Sequence, residues 1–388
     1  MNGKVGKYME KVKILWSGIT GRTGREALEL AKNSDTVEIT AGLSRSNTNY
    51  YNYDELEYIK EDFDVIVDFS HKDSFDKVLE FALKVKKPIV IGTAGLTEKQ
   101  MKRFEEASNI IPVFRGGNFR FDVKKFIDEV VEYAKKSEKE SFDLNETHYK
   151  TKKVPSETAK VVAKRVLDET GKKVNINSYL EYDELINDWK VDNLECRVVG
   201  FKELAENVLE IAKMMKDKTP SGVYDLDRLL KEQELIDLHN FLIEAKKETY
   251  ANETAPKVNP TRRGSRDYEY TKGNWTYHDT YFGGTDFQGQ EVVYQQEDTP
   301  IWGMVYYGRT LDESLSEEAM DNALRPALMQ VGQGDTIPVR GPKEFENQGY
   351  RYTFEVTGDL TNFEGEEIIK KENKKIYTLK CHGGMIRR

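Results

Sequence analysis

The stretch VKILWSGITGRTGREALELAK, residues 12–32, reads as three segments in succession. Residues 12–17 form a short apolar run with the length of a buried strand. Gly18-Ile19-Thr20-Gly21-Arg22-Thr23-Gly24 follows with the spacing G-x-x-G-x-x-G. Beyond it, Ala27, Leu28, Leu30 and Ala31 fall at helical spacing. Glycine lets the backbone approach a pyrophosphate where a Cβ would clash, and the free N–H groups of the following helix attract the anion. A glycine triplet alone is weak, but one that follows a strand and opens a helix points to nucleotide binding.

Working outward, residues 36–43 (TVEITAGL) supply a second strand and complete a βαβ unit. DVIVDF at 64–69, PIVIG at 88–92 and IPVF at 111–114 add three more short apolar strands. Helical patterns at 75–84 and 97–107 separate them, which predicts a Rossmann-type, doubly wound parallel sheet over residues 1–118. The second strand ends in Leu43-Ser44-Arg45-Ser46. No carboxylate stands there to accept from a ribose 2′-hydroxyl. Arg45 with two flanking hydroxyls suits a 2′-phosphate and favours NADPH over NADH.

After residue 118 the texture changes. A long amphipathic helix at 123–136 leads to a strand at 142–147 and then to ETHYKTKKVPSETA, residues 146–159. The five histidines are His71, His148, His239, His278 and His382, and no two share metal-ligand spacing. His148 alone adjoins a lysine cluster and a helix start. At the end of its strand it is a candidate proton donor, with Lys152 as a second donor or a charge for a carboxylate. The helix start at Ser156–Ala159 would also favour a carboxylate. The combination suits a small anionic substrate. Further along, 194–199 reads as a strand, and 205–216 and 235–247 as helices. A polar, proline-containing linker spans 248–265.

Beyond Gly264 the composition turns to tyrosine, tryptophan and glycine in alternating segments, and an internal repeat appears. Residues 275–308 resemble 350–383, each with F-x-G-x-E, at Phe287-Gly289-Glu291 and Phe363-Gly365-Glu367. Each places an aromatic, Trp302 or Tyr377, six residues before a glycine. The repeat predicts a C-terminal β-rich (α+β) domain made of two meanders in one sheet or half-barrel. Tyr277, Asp279, Tyr281, Glu291, Trp302, Tyr306 and Arg309 are candidates for a ligand face there.

The totals narrow the classes. With 388 residues the chain exceeds one ordinary core, and a net charge of −9 argues against general nucleic-acid or anionic-membrane binding. Two distant cysteines cannot build a disulfide framework or a CxxC metal site. The chain runs into its first strand without a signal-like apolar segment and has no membrane-helix-length run. A cytoplasmic location is the expectation.

Residues 12 to about 231 resemble the 4-hydroxy-tetrahydrodipicolinate reductase (dihydrodipicolinate reductase) family of lysine and diaminopimelate biosynthesis. The resemblance rests on several ordered motifs. They are G-x-x-G-R-x-G-R at Gly18 to Arg25, Asp68-Phe69-Ser70, Gly92-Thr93-Ala94-Gly95, and the hinge Asn118-Phe119. They continue with Glu146-x-His148, then Lys152 followed by P-S-x-T-A up to Ala159, and Gly222 to Leu226. It implies a dinucleotide-binding domain over 1–118 that resumes at 205–231, an inserted α/β substrate and oligomerisation domain over 119–204, and a homotetramer. It also implies hydride transfer from NADPH or NADH to a cyclic dicarboxylate. The cofactor would meet Gly18, Thr20, Gly21, Arg22, Thr23, Gly24, Arg45, Phe69, Gly92, Thr93, Gly95 and Asn118. His148 and Lys152 would be the proton-donor candidates, with Tyr149, Ser156, Glu157 and Thr158 around the substrate. The chain departs from the family at Tyr149, where a second histidine is usual, and at Glu157, where glycine is usual. These departures leave open a related reductase or amine dehydrogenase, or a nucleotide-sensing regulator. Residues 235–388 fall outside the family. They resemble an uncharacterised module that also follows helix-turn-helix domains in predicted bacterial regulators.

Overall fold

A computed structural model describes residues 10–116, 119–219, 221–296, 298–334 and 336–386. Asn118 therefore lies outside the described residues. The chain divides into two compact units, Met1–Leu230 and Lys231–Arg388.

In the first unit, strands β1 (Val12–Ser17), β2 (Val37–Leu43), β3 (Val65–Asp68), β4 (Ile89–Ile91) and β5 (Pro112–Arg115) alternate with helices α1 (Arg22–Lys32), α2 (Lys72–Val85) and α3 (Glu98–Ala107). Helix α4 (Phe121–Lys136) opens a second layer. It is followed by β6 (Ser141–Tyr149), α5 (Glu157–Thr170), β7 (Lys173–Tyr182), β8 (Ile186–Val191) and β9 (Leu194–Val199). Helix α6 (Lys202–Met215) and β10 (Gly222–Tyr224) return to the first layer, since β10 pairs in parallel with β5. The first sheet has the order β10-β5-β4-β3-β1-β2, all parallel. Its order reverses on either side of β1, and a ligand crevice opens at the strand ends beside such a reversal. Apolar side chains cover both faces: Trp16, Val67, Val90 and Phe114 on one, Leu15, Ile66, Ile91 and Val113 on the other.

The inserted sheet has the order β7-β6-β8-β9, with β6 and β7 parallel and the other pairs antiparallel. Helices α4 and α5 cover one face through Phe126, Val130, Val162 and Val166, packed on Leu144 and Trp189. One sequence expectation changes here. The strand expected at 142–147 extends through Tyr149, so His148 lies within it rather than beyond its end. The segment 181–193 contributes the end of β7 and all of β8.

Helix α7 runs Leu226–Glu248, longer than the expected 235–247, because no glycine or proline interrupts it. In the second unit, strands β11 (Arg266–Lys272), β12 (Trp275–Gly283), β13 (Phe287–Gln295), β14 (Thr299–Thr310), β15 (Glu344–Asn347), β16 (Tyr350–Asp359), β17 (Asn362–Lys371) and β18 (Lys374–Met385) form one antiparallel sheet. Its order is β11-β12-β13-β14-β18-β17-β16-β15. The two meanders thus join through β14 and β18, and the repeats run outward from that seam. One face buries Tyr277, Trp302, Tyr352, Phe354 and Tyr377 against Leu238, Leu242 and Ala245 of α7.

Candidate functional site

The loop after β1 is built for close approach. Gly18 has φ +83°, and a Cβ there would stand 2.3 Å from the Phe69 carbonyl oxygen. A Cβ on Gly24 would stand 2.6 Å from the carbonyl oxygens of Gly18 and Ile19. Glycine is therefore required at both ends of the turn. Helix α1 starts with Gly21 as its N-cap, no capping side chain and no acidic residue in its first turn. Its leading N–H groups meet no side-chain acceptor at that cap, the arrangement that suits a pyrophosphate.

The neighbouring strand ends complete this edge. Thr20 Oγ1 and Ser44 Oγ lie 3.1 Å apart, tying the loop to the end of β2. Arg45 is exposed, and the Arg22 guanidinium lies 4.5 Å from the Phe201 ring centre. Asp68 is fully buried and accepts from Ser17 Oγ (2.7 Å), Ser70 Oγ (2.6 Å) and Thr93 Oγ1 (2.8 Å). Burial pushes its carboxyl up in spite of these three donors. The network fixes Thr93 and Ser70 at the ends of β4 and β3. A Cβ on Gly92 would collide with the Phe69 ring, which also packs edge-on to Phe119 at 5.0 Å. Gly95 takes a positive φ of 73° with open space where a Cβ would be.

The inserted layer places its polar residues differently from the expectation. Glu146 and His148 sit two apart on β6, so both face the covering helices, and both are fully buried. His148 Nε2 lies 2.9 Å from Glu146 Oε2. Glu146 Oε1 accepts from the Ser156 backbone N–H (2.9 Å) and Ser178 Oγ (2.6 Å), and Ser156 Oγ donates to Oε2. Burial opposes ionisation of Glu146, yet hydrogen bonds from His148, Ser156 and Ser178 outweigh it and hold its pKa down at about 2. Trp189 Nε1 donates to Ser156 Oγ at 3.1 Å and its ring packs edge-on to His148. His148 Nδ1 is buried without a partner in the described structure.

Ser156 thus serves Glu146 and caps α5 by accepting from the Ala159 N–H at 3.2 Å. Thr158 is buried. Glu157, expected beside the substrate, instead turns to Lys160 at 2.7 Å, its side chain 78% exposed. Its position in the first turn of α5 explains this, because the buried side of that turn is taken by Thr158 and Ala159. The Lys152 ammonium lies 5.7 Å from the Tyr149 ring centre. Burial, then the Arg120 charge, lowers the Lys152 pKa, while Glu146 works in the opposite direction. Arg120 itself donates to the Gly200 carbonyl (2.6 Å) and pairs with Glu203 (3.2 Å), joining the two crossings between layers. The sequence placed Asp68 in a motif without giving it a role, and it did not single out Ser178 or Trp189. No group of metal-binding side chains occurs among the described residues, and no described helix is long and apolar enough to cross a membrane.

A doubly wound sheet with a glycine cradle at its reversal and an inserted α/β layer defines a Rossmann-type fold. More narrowly, residues 12–119 match the family model described as dihydrodipicolinate reductase, N-terminus. Residues 279–386 match a model described as a domain of unknown function (DUF5680). The chain is 34% identical over 155 residues to 4-hydroxy-tetrahydrodipicolinate reductase of Caldanaerobacter subterraneus subsp. tengcongensis, covering 39% of this chain and 62% of that protein. It is 25% identical over 251 residues to the Clostridium perfringens enzyme of the same name, covering 57% of this chain and 98% of that one. Among solved structures it is similar to a dipicolinate-bound dihydrodipicolinate reductase from a Paenisporosarcina species, with a TM-score of 0.47, 15% identity, and 56% and 98% of the two chains covered. The match therefore spans less than two thirds of the first of these relatives.

Proposed function

We propose that the first unit is an NAD(P)H-dependent reductase of the 4-hydroxy-tetrahydrodipicolinate reductase type, with NADPH the preferred cofactor. The observation that carries this reading is the glycine cradle of Gly18 and Gly24 before an uncapped helix, which a Cβ would fill. That cradle fits a pyrophosphate, with Thr20, Gly21, Arg22 and Thr23 around it. Arg45, with Ser44 and Ser46, would receive a 2′-phosphate. Phe69, Gly92, Thr93, Gly95 and Asn118 would border the nicotinamide. The bound cofactor supplies a hydride to a cyclic, imine-like dicarboxylate.

The chain's own residues would then bind, orient and protonate. Lys152, whose ammonium is made easier to deprotonate by burial, is the stronger proton-donor candidate and a counter-charge for a substrate carboxylate. His148 is fully enclosed, so its role is to hand a proton inward from Nδ1 or to hold the loop through Glu146. Tyr149 and Thr158 would line the substrate, Ser156 would position Glu146, and Glu157 would take no part. The family resemblance further proposes a homotetramer and a cytoplasmic location.

The test is NADPH oxidation with freshly generated hydroxy-tetrahydrodipicolinate. Lys152→Ala is expected to lower kcat about 10²–10⁴-fold with NADPH affinity unchanged. Wild-type protein that binds NADPH without turnover would sink the assignment of substrate. A second reading keeps the fold and gives the substrate an amino group, because Asn187 Oδ1, opposite His148 across β6 and β8, is a buried acceptor without a partner among the described residues. Faster NADP-dependent oxidation of an amino acid than reduction of the cyclic dicarboxylate would favour it.

A further inference from the structure

The two repeats of the second unit can be superposed by strand register, and the comparison separates a closed polar cluster from an open one. Tyr277 stands opposite Val293 and Tyr352 opposite Ile369, each two residues beyond the glutamate of F-x-G-x-E. By the same register Glu291 corresponds to Glu367, Trp302 to Tyr377, Asp279 to Phe354, and Tyr306 to Cys381. Each glutamate is fully buried and meets one buried cation from outside its meander, Lys246 for Glu291 and Arg340 for Glu367.

The second copy is satisfied. Arg340 donates to both Glu367 oxygens at 3.0 Å, Tyr352 adds a hydrogen bond at 2.7 Å and Tyr377 another at 3.2 Å. The Tyr352 hydroxyl also accepts from the Gly341 N–H at 3.1 Å. In the first copy Lys246 reaches only Glu291 Oε2. Glu291 Oε1 and the Tyr277 hydroxyl are buried with no partner in the described structure. Where the second copy has Phe354 and Cys381, the first has Asp279 accepting from Tyr306 at 2.7 Å. An orphaned buried carboxylate oxygen and an orphaned hydroxyl each cost free energy unless a further group meets them.

Charge and shape say what that group is. Among the described residues the inner face buries three carboxylates, Asp279, Glu291 and Glu367, against two cations, Lys246 and Arg340, and so lacks one positive charge. The Lys246 ammonium already lies 5.4 Å, 5.5 Å and 5.8 Å from the ring centres of Tyr250, Tyr277 and Trp302, so the walls favour cations. We propose that the open cluster of the C-terminal unit binds a small organic monocation with N–H donors, a primary ammonium, held by Glu291 Oε1 and the Tyr277 hydroxyl between aromatic walls. Burial and the adjacent Glu291 push the Asp279 carboxyl up, the direction expected of a carboxyl that lacks a facing cation.

The full-length protein, titrated calorimetrically with methylammonium chloride and with ethanolamine hydrochloride, tests this. Saturable one-to-one binding is expected for at least one of them. Tetramethylammonium and sodium chloride, which lack N–H donors, should give none. Tyr277→Phe should weaken the affinity about tenfold without lowering the melting temperature, because the lost hydroxyl has no partner in the fold. Tyr352→Phe should lower the melting temperature and leave the affinity unchanged. Absence of saturable binding, equal binding of tetramethylammonium, or unchanged affinity in Tyr277→Phe would each overturn the proposal. So would a melting loss in Tyr277→Phe as large as that in Tyr352→Phe, since the hydroxyl would then serve the fold.

Discussion

Gly18 and Glu146 show how single residues constrain the first unit. At Gly18 both the positive φ and the 2.3 Å approach to the Phe69 carbonyl forbid a side chain. Gly18→Ala should therefore destabilise the first unit by about 1–3 kcal/mol and abolish NADPH binding, measured by urea denaturation and cofactor fluorescence. Glu146 makes a pH argument. Its carboxyl falls from the ordinary 4.5 to about 2 in the fold, so its contribution is complete above pH 4.5 and is lost as pH falls towards 2. The loss amounts to on the order of 3 kcal/mol. Fluorescence of Trp189, which bonds to the same Ser156, is a suitable probe alongside urea. Glu146→Gln should start less stable at pH 7 and lack most of that acid-dependent loss. An unchanged acid slope in the variant would assign the transition to other carboxylates.

Helix α1 presents bare N–H groups, and on the proposed function this apparent defect in capping is what a pyrophosphate would use. Arg22→Asp would place a carboxylate in the first turn, which stabilises a helix by about 0.3–1 kcal/mol. The same charge would repel a pyrophosphate, so NADPH affinity should fall at least tenfold while the melting temperature holds or rises. A parallel loss of both would mean that the Arg22–Phe201 contact matters more than the helix end. All strands of the first sheet except β10 were legible in sequence because parallel strands are short apolar runs and the glycine loop marks a strand-to-helix turn. The inserted layer was less legible. Glu146 and His148 two apart on a strand could have been paired by alternation, but Ser178 and Trp189 reach Glu146 only through strand register. The F-x-G-x-E repeat was visible, and packing explains its glycine. A Cβ on Gly289 would meet the Tyr306 hydroxyl at 2.4 Å, and one on Gly365 would meet the Phe354 ring at 2.6 Å. That one repeat closes its glutamate and the other does not depends on Tyr377 standing where the first copy has Trp302, and on Arg340 from outside the meander, which no spacing encodes.

Each unit carries its own apolar core, around Trp16 and Phe114 in the first and around Tyr277, Trp302 and Tyr352 in the second. A chain built this way need not unfold in one step. If stability is stored separately, a lesion in one core should leave the other transition in place. Glu367 supplies the lesion, because it anchors Arg340, Tyr352 and Tyr377 at once. Glu367→Gln leaves Arg340 buried without its charge partner, a cost of about 3–5 kcal/mol, or about 10 °C for a unit of this size. On the proposed function NADPH would act on the other unit, where mass action should raise its transition by an amount that grows with the logarithm of concentration. Scanning calorimetry of the full-length protein should therefore show two transitions, one lowered by Glu367→Gln and the other raised by NADPH. A single transition that moves with both perturbations would show that the reductase-like unit and the β-rich unit fold as one, and that the cluster around Glu367 supports the cofactor site as well as its own sheet.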